Sequence, residues 1–328
     1  MVWVIGCNGM LGTELCRQFK EKNIEFVGTD RNVDITDPQI LAEFVKGKDI
    51  SFIVNCSAYT AVDKAESEPE LAAKINVEGV RNIAVLANQI HAKLIHISTD
   101  YVFDGTGIVE KEPAVVEKKT TVVEALETTI RPYDEDDSIA PIGIYGKTKA
   151  EGEKAVVQNL KEYYILRTAW LYGWAGKNFV YTMIRAMNIR DAVKVVNDQK
   201  GTPTFAGDLA EVIIRIVVSK DNSVPYGIYH VTDLGEITWW EFTNEIKKQV
   251  IELQSAGKFQ IPNSSFLIPN CTVNPCSTSE YPTPAKRPAY SVLSKEKIQK
   301  VLGIKLPDWK ESLSVFLKSE LFDKSRIE

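Results

Sequence analysis

Tyr145 and Lys149 stand four residues apart in Tyr145-Gly-Lys-Thr-Lys149, a spacing that puts a phenol and an ammonium on one face of a helix. Upstream, Ile97-Ser-Thr-Asp-Tyr-Val-Phe-Asp-Gly105 sets the hydroxyls of Ser98 and Thr99 at the end of an apolar, strand-like run. These groups suit the reduction of a carbonyl, in which a proton must reach oxygen as hydride reaches carbon. Free tyrosine has a pKa of about 10, too high for ready proton exchange near neutrality. A neighbouring ammonium favours the phenolate, so Lys149 is expected to lower the pKa of Tyr145. Many helix surfaces carry a Tyr-x-x-x-Lys pair by chance, so its weight depends on a source of hydride.

The start of the chain offers a place for one. Val2-Trp-Val-Ile5 leads through Gly6-Cys-Asn-Gly9-Met-Leu-Gly12 into residues 14–20, which have helical spacing. Strand, glycine turn and helix let backbone approach a pyrophosphate while the helix N-terminus presents free N–H groups to it. A second strand over residues 24–29 ends at Asp30, at the right distance for an acid on the adenosine ribose. Asp30 favours NADH by repelling a 2′-phosphate and Arg31 can pair with one, so NADPH and NADH both remain open.

Around these segments the first half alternates short apolar strands (residues 50–55, 93–98 and 163–168) with helical stretches such as 69–89. That pattern predicts a parallel, doubly wound α/β sheet of Rossmann type, with ligands at the carboxyl ends of its strands. Residues 1–170 are read as the dinucleotide-binding domain. Residues 171–328 are read mainly as a smaller, discontinuous substrate lobe. A helix near 206–219, with apolar spacing over 208–218, is expected to return to the first domain.

In order along the chain, the glycine turn, Asn55-Cys-Ser-Ala-Tyr-Thr-Ala-Val-Asp-Lys-Ala-Glu-Ser-Glu-Pro69, Ser98–Gly105 and Tyr145–Lys149 are followed by Leu166-Arg-Thr-Ala-Trp-Leu-Tyr-Gly173, Asp198-Gln-Lys-Gly-Thr-Pro-Thr204 and Tyr281-Pro-Thr-Pro-Ala-Lys-Arg-Pro288. Together they resemble the dTDP-4-dehydrorhamnose reductase family, an extended branch of the short-chain dehydrogenase/reductases. The glycine turn and the Tyr/Lys pair are shared across that superfamily, whereas the 55–69 and 281–288 blocks are more particular. The resemblance implies NAD(P)H-dependent reduction of a dTDP-4-keto-sugar at C4. Tyr145 would then give the proton, Thr99 would orient the ketone, and Lys149 would also hold the nicotinamide ribose. It aligns Gly6, Gly9, Met10, Leu11 and Gly12 with the pyrophosphate turn and Asp30 with the adenosine ribose. Asp34 and Ile35 fall on the adenine side, and Ala58, Tyr59 and Thr60 along the nicotinamide half. Thr99, Asp100 and Trp170 fall on the sugar. Asn178 and Arg287 are candidates for the diphosphate, because amide and guanidinium donors suit phosphate oxygens. The roles of Val62 and Asp63 stay open.

Two rivals share these features, a reductase or epimerase of another deoxy-sugar nucleotide and a non-catalytic, dinucleotide-binding regulatory subunit. The related dehydratases carry Asp-Glu after the active-site threonine, and here that second position is Tyr101. Some relatives dimerise around magnesium through an acid at the position of Glu14. Partner acids are not evident around residues 190–193, so neither the metal nor that homodimer has support in the sequence. One stretch departs from the family, an insertion from about Pro113 to Ile130. Alternation over residues 120–123 favours a strand pair, and residues 124–127 suit a helix turn; the expected role is surface, the alternative a lid or subunit contact.

The net charge of −5 and pI near 5.5 argue against a nucleic-acid binder. No apolar run reaches membrane-spanning length, and no signal-like N-terminal region is evident, so the expected setting is cytoplasmic. Five cysteines include no Cys-x-x-Cys; Cys7, Cys16 and Cys56 read as small hydrophobes, and Cys271 and Cys276 lack nearby histidines.

Overall fold

β1 (Val2–Ile5) is the second strand from one edge of a six-stranded parallel sheet, between the edge strand β2 (Phe26–Thr29) and β3 (Phe52–Asn55). β3 is followed outward by β4 (Lys93–Thr99), β7 (Tyr163–Thr168) and β12 (Gly227–His230). The computed structural model describes residues 1–118, 121–220, 223–259 and 267–327, with backbone alone for 111–118 and 121–128. Every residue of β1 and β3 is buried, as a sheet covered on both faces requires.

Alternation then assigns the faces. Val2, Val4 and Val54 pack with Leu11, Leu15 and Phe19 of α1 (Met10–Glu21) and with Leu209 and Ile213 of α8 (Ala206–Val217). Trp3, Ile5 and Ile53 pack instead with α2 (Pro38–Val45), α5 (Val80–Gln89) and Val156 of α6 (Ile144–Asn159). Each large apolar side chain so buried contributes roughly 1.5–3 kcal/mol before chain entropy opposes it. The strand order reverses between β1 and β3, and their carboxyl ends frame a crevice at that switch point.

Between β3 and α5 the chain forms short helices α3 (Val62–Ala65) and α4 (Pro69–Ala73), then a π turn, Lys74–Gly79. The single helix expected over 69–89 is therefore wound wider in its middle. Asn76 in that turn bonds both the Tyr59 backbone and Thr148, a reason for the widening that helical spacing does not carry.

The insertion is an antiparallel ribbon of β5 (Ile108–Lys118) and β6 (Thr121–Arg131), paired from Ile108–Arg131 outward to Lys118–Thr121. Residues 124–127 are strand, not helix, because cross-strand pairing overrides the local helix preference of Glu-Ala-Leu-Glu. Thr120, the first residue of the expected alternation, lies outside the described residues.

A second core gathers many of the described elements after β7. β8 (Leu171–Tyr172), α7 (Phe179–Ile189), β9 (Ala192–Val196), β10 (Lys200–Gly201) and β11 (Thr204–Phe205) precede α8. β13 (Ile237–Thr238), α9 (Trp239–Ser255) and β14 (Thr272–Cys276) follow β12. Tyr172, Ile184, Phe205, Phe242 and Ile246 bury one another there, joined by Phe316 of α11 (Trp309–Lys318). Between β14 and α11 the chain returns to the first core through Ile298 of α10 (Glu296–Leu302).

Candidate active site

The glycine turn is shaped by what it lies against. Gly6 adopts φ +78°, and a Cβ there would come within 2.9 Å of the Ser57 backbone nitrogen across the crevice. A Cβ on Gly12 would stand 2.1 Å from the Gly6 carbonyl oxygen, so α1 starts against the turn only with glycine present. Gly9 is its N-cap and supplies no side-chain cap, and the first turn, beginning at Met10 and Leu11, holds no acid. Those N–H groups and the helix dipole suit an anionic pyrophosphate. Asp30, just past β2, is oriented by N–H donors from Asn8 (3.1 Å) and Arg31 (2.8 Å). Asp34 accepts from the Thr36 N–H and hydroxyl, both at 2.8 Å, and Ile35 is buried beside the π turn. Ala58, Tyr59 and Thr60 follow β3 at the same end of the sheet. Tyr59 donates its phenol proton to Glu68 at 2.5 Å, and its N–H donates to Asn76 at 2.8 Å.

Thr99 ends β4 and is buried. Its hydroxyl donates to Asp100 Oδ1 at 2.9 Å and accepts the Tyr101 N–H at 3.2 Å. Tyr145 and Lys149 occupy the first turns of α6, whose opening N–H, from Ile144, is taken by Glu66 at 2.8 Å. Gly146 lets this helix approach, since a Cβ there would meet the Tyr101 carbonyl oxygen at 2.1 Å. The Tyr101 ring meets Tyr145 edge-on, with centroids 5.5 Å apart.

Burial pushes the Tyr145 phenol up to about 12, Asp100 adds to the rise, and a hydrogen bond with Thr99 opposes it. The expected lowering by Lys149 is absent. Lys149 is buried and donates to the Ile97 carbonyl at 2.7 Å, with His96 Nε2 at 3.4 Å, so its Nζ is held against the strand. Burial brings Lys149 itself down to about 8 against an upward pull from Glu153. Asp100 rises to about 6, again through burial, although hydrogen bonds with Ser291 and Thr99 act against the rise. Its Oδ2 has no hydrogen bond of normal geometry among the described residues.

Trp170, just past β7, has φ +46° and stacks on Trp239 with centroids 3.5 Å apart and planes at 10°. Gly201 also lies close to it: a Cβ there would come within 2.5 Å of the indole. Arg287 Nη2 donates to Asp63 at 2.9 Å, and Asp63 also accepts the Ala285 N–H at 3.2 Å. This clamp ties the Pro-Thr-Pro-Ala-Lys-Arg-Pro loop to the 55–69 block. Arg287 Nη1 is buried with no partner among the described residues. Asn178 is the N-cap of α7: Oδ1 accepts the Tyr181 N–H at 3.1 Å and Nδ2 donates to the Gly173 carbonyl at 2.7 Å. That capping leaves it one amide N–H for any phosphate. Glu14 is engaged by Arg17 and Gln18, and no metal-like group of three acids, histidines or cysteines occurs among the described residues.

Asn55, Asn76, His96 and Trp239 escaped the sequence reading. A polar residue inside an apolar strand was the available signal for Asn55 and His96. For Trp239 the signal was the Thr238 capping box that opens α9 on an indole.

A family model for the RmlD substrate binding domain matches residues 1–322. The dTDP-4-dehydrorhamnose reductase of Escherichia coli is 36% identical over 333 aligned residues, covering 99% of each chain. A crystal structure of the enzyme of that name from Clostridium acetobutylicum superposes with a TM-score of 0.79 at 39% identity, covering 96% of this chain and 97% of that one. Another from Bacillus anthracis, in complex with NADP, gives 0.78 at 35% identity, with coverage of 96% and 97%.

Proposed function

The chain belongs to the family of the RmlD substrate binding domain, and from that premise we propose that it is an NAD(P)H-dependent dTDP-4-dehydrorhamnose reductase. The observation that carries the reading is the union, at one end of one sheet, of a glycine cradle with Thr99, Tyr145 and Lys149. The cradle fits a dinucleotide, because Gly6 and Gly12 exclude side chains where α1 begins and Asp30 stands ready for ribose hydroxyls.

Reduced nicotinamide, when bound, supplies the hydride. The chain supplies the rest. Tyr145 gives its proton to the C4 oxygen as that oxygen takes on negative charge, and Thr99 orients the ketone. The raised Tyr145 pKa keeps the phenol protonated and ready to donate. Lys149 holds the ribose hydroxyls and returns a proton to the phenolate. Asp100 Oδ2 can accept a sugar hydroxyl, Trp170 gives the sugar ring a wall, and Arg287 Nη1 can donate to the diphosphate. The second core serves as the substrate lobe. No helix among the described residues is long and apolar enough to cross a membrane, and we place the enzyme in the cytoplasm, with homodimerisation open to light scattering.

The test is oxidation of NADPH or NADH with a panel of 4-keto nucleotide sugars, with products identified by mass and NMR. An epimerase would give product without net oxidation, and a regulatory subunit would give neither. Tyr145→Phe should lower kcat by about 10² or more with dinucleotide affinity nearly unchanged, whereas Lys149→Ala should harm both. A kcat within about threefold of wild type for Tyr145→Phe would remove the phenol from the mechanism.

A further inference from the structure

His96 is wholly buried in β4, directly opposite Asn55 in the register of β3 and β4, and lies outside the mechanism described above. Its surroundings fix where its proton sits. Asn55 Oδ1 accepts both the N–H (3.0 Å) and the hydroxyl (2.6 Å) of Ser57, which orients the amide. The other end, Nδ2, lies 3.1 Å from His96 Nδ1. An amide nitrogen can only donate, so Nδ1 must accept, and the proton of a neutral ring is on Nε2. Burial and the nearby Lys149 both oppose a second proton. Nε2 faces Lys149 Nζ at 3.4 Å, while Nζ donates to the Ile97 carbonyl at 2.7 Å.

Two N–H groups cannot bond each other. An ammonium therefore meets an opposing donor, whereas a neutral amine has a lone pair to accept it. We propose that His96 is a positioning residue for Lys149: locked by Asn55 with its proton on Nε2, it makes the neutral amine a hydrogen-bonded state of the resting fold. The chain then runs unbroken from Asn55 Nδ2–H to His96, from His96 Nε2–H to Lys149, and from Lys149 to the Ile97 carbonyl. Lys149 can so part with a proton to the Tyr145 phenolate and be held in place afterwards.

Other charges near Lys149 do not reproduce this effect. Glu153, one turn along α6, favours the ammonium but is itself paired with Arg167 of β7 at 2.8 Å. Toward the cleft, Tyr145 is a protonated phenol and Asp100 bonds Thr99. Asn76 of the π turn bonds Thr148 at 3.1 Å.

The assignment deepens the reductase reading and rests on it for its place in turnover, yet its tests need no substrate. The chain has three histidines, so ¹⁵N NMR of histidine-labelled protein can resolve each ring, with His96 identified by its loss in His96→Gln. We expect the Nε2–H tautomer throughout about pH 6 to 9; an Nδ1–H form or an imidazolium in that range overturns the proposal. Lysine-labelled protein reads Lys149 directly. His96→Gln places an amide acceptor within reach of the ammonium. Asn55→Asp keeps an acceptor for Ser57 while reversing the His96 tautomer. Each should raise the Lys149 pKa by about one unit, a tenfold change in its proton affinity. Folded variants with an unchanged Lys149 pKa overturn the assignment. In turnover, the alkaline limb of kcat/KM should move upward with it, whereas a merely structural role would lower kcat and leave the limb in place. Normal NMR results without any reduction of 4-keto sugars would instead count against the function.

Discussion

Gly146→Ala sets helix preference against a steric limit in the active site. The substitution should favour the helix by about 1 kcal/mol, since glycine is a poor helix residue. The added Cβ would lie 2.1 Å from the Tyr101 carbonyl oxygen and 3.1 Å from Pro141 Cβ. The nearer atom is backbone and cannot rotate away, so α6 and the turn after β4 must part by roughly 1 Å, at the upper end of the ~1–3 kcal/mol that overpacking costs. The net expectation is a loss of about 1–2 kcal/mol, seen as a fall of a few degrees in Tm. The same displacement moves Tyr145 away from Thr99, and a 1 Å misplacement of a reacting group can cost about 10² in rate. Dinucleotide affinity should change less, because Gly6, Gly12 and Asp30 belong to the β1–α1 turn and the end of β2 rather than to α6. Thermal unfolding, cofactor titration and kcat/KM on the 4-keto sugar nucleotide measure the three quantities separately. An unchanged or higher Tm with kcat/KM within about threefold of wild type would refute the idea that this contact positions the phenol.

Arg31→Ala should weaken NADPH more than NADH, and Asp30→Ala should shift preference the other way; equal changes in KM for both cofactors would show that this corner does not discriminate them. Burial pushes Asp208 up to about 6, with hydrogen bonds to Ser312 and Asp233 opposing the rise and the charges of Glu14 and Glu211 adding to it. A folded-state pKa above the unfolded value means stability is full below about 4 and declines as pH rises through about 6. Asp208→Asn should therefore stabilise the protein more at pH 8 than at pH 5, by about 1 kcal/mol in urea unfolding, and equal gains would contradict the shift. Replacing residues 111–128 by Asn-Gly keeps the Glu110–Thr129 pair and closes the ribbon with a two-residue turn. Folding and kcat/KM should survive; a folded variant with collapsed kcat/KM would identify a lid, and loss together with a change in light-scattering mass would identify a subunit contact.

The cradle and the Tyr145–Lys149 pair were legible because each is written in local spacing: glycines three apart, and two side chains one helical turn apart. β1 and β7 were legible to the residue, being apolar runs bounded by turn signals. What stayed hidden depends on register and long-range approach. Asn55 and His96 look like isolated polar residues until β3 and β4 align them as neighbours. The direction of the Tyr145 shift follows from burial and from where Lys149 points, neither of which spacing reveals. Arg287 could be read as a phosphate donor, but its partner Asp63 is 224 residues away. The ribbon was half visible, since alternation announced a strand while Glu-Ala-Leu-Glu suggested helix and cross-strand pairing decided it.

The route of the chain between its two cores has a consequence for how the protein is made. β12 completes the edge of the sheet only at residues 227–230, and α10 adds Ile298 to the first core after the chain has already built α9 and β14 in the second. A nascent chain that has emerged through α6 and β7 therefore has its cradle and its Tyr145–Lys149 face but lacks α8 over α1. Leu11 and Leu15 would still present apolar surface to water. The face under α2, α5 and α6 can close on residues up to 165, whereas the face under α1 waits for α8 and Ile298 and the second core waits for Phe316, so these two should consolidate late in synthesis. A chaperone that shields apolar helices would find its target in the first lobe, during the interval in which α8 is still inside the exit tunnel.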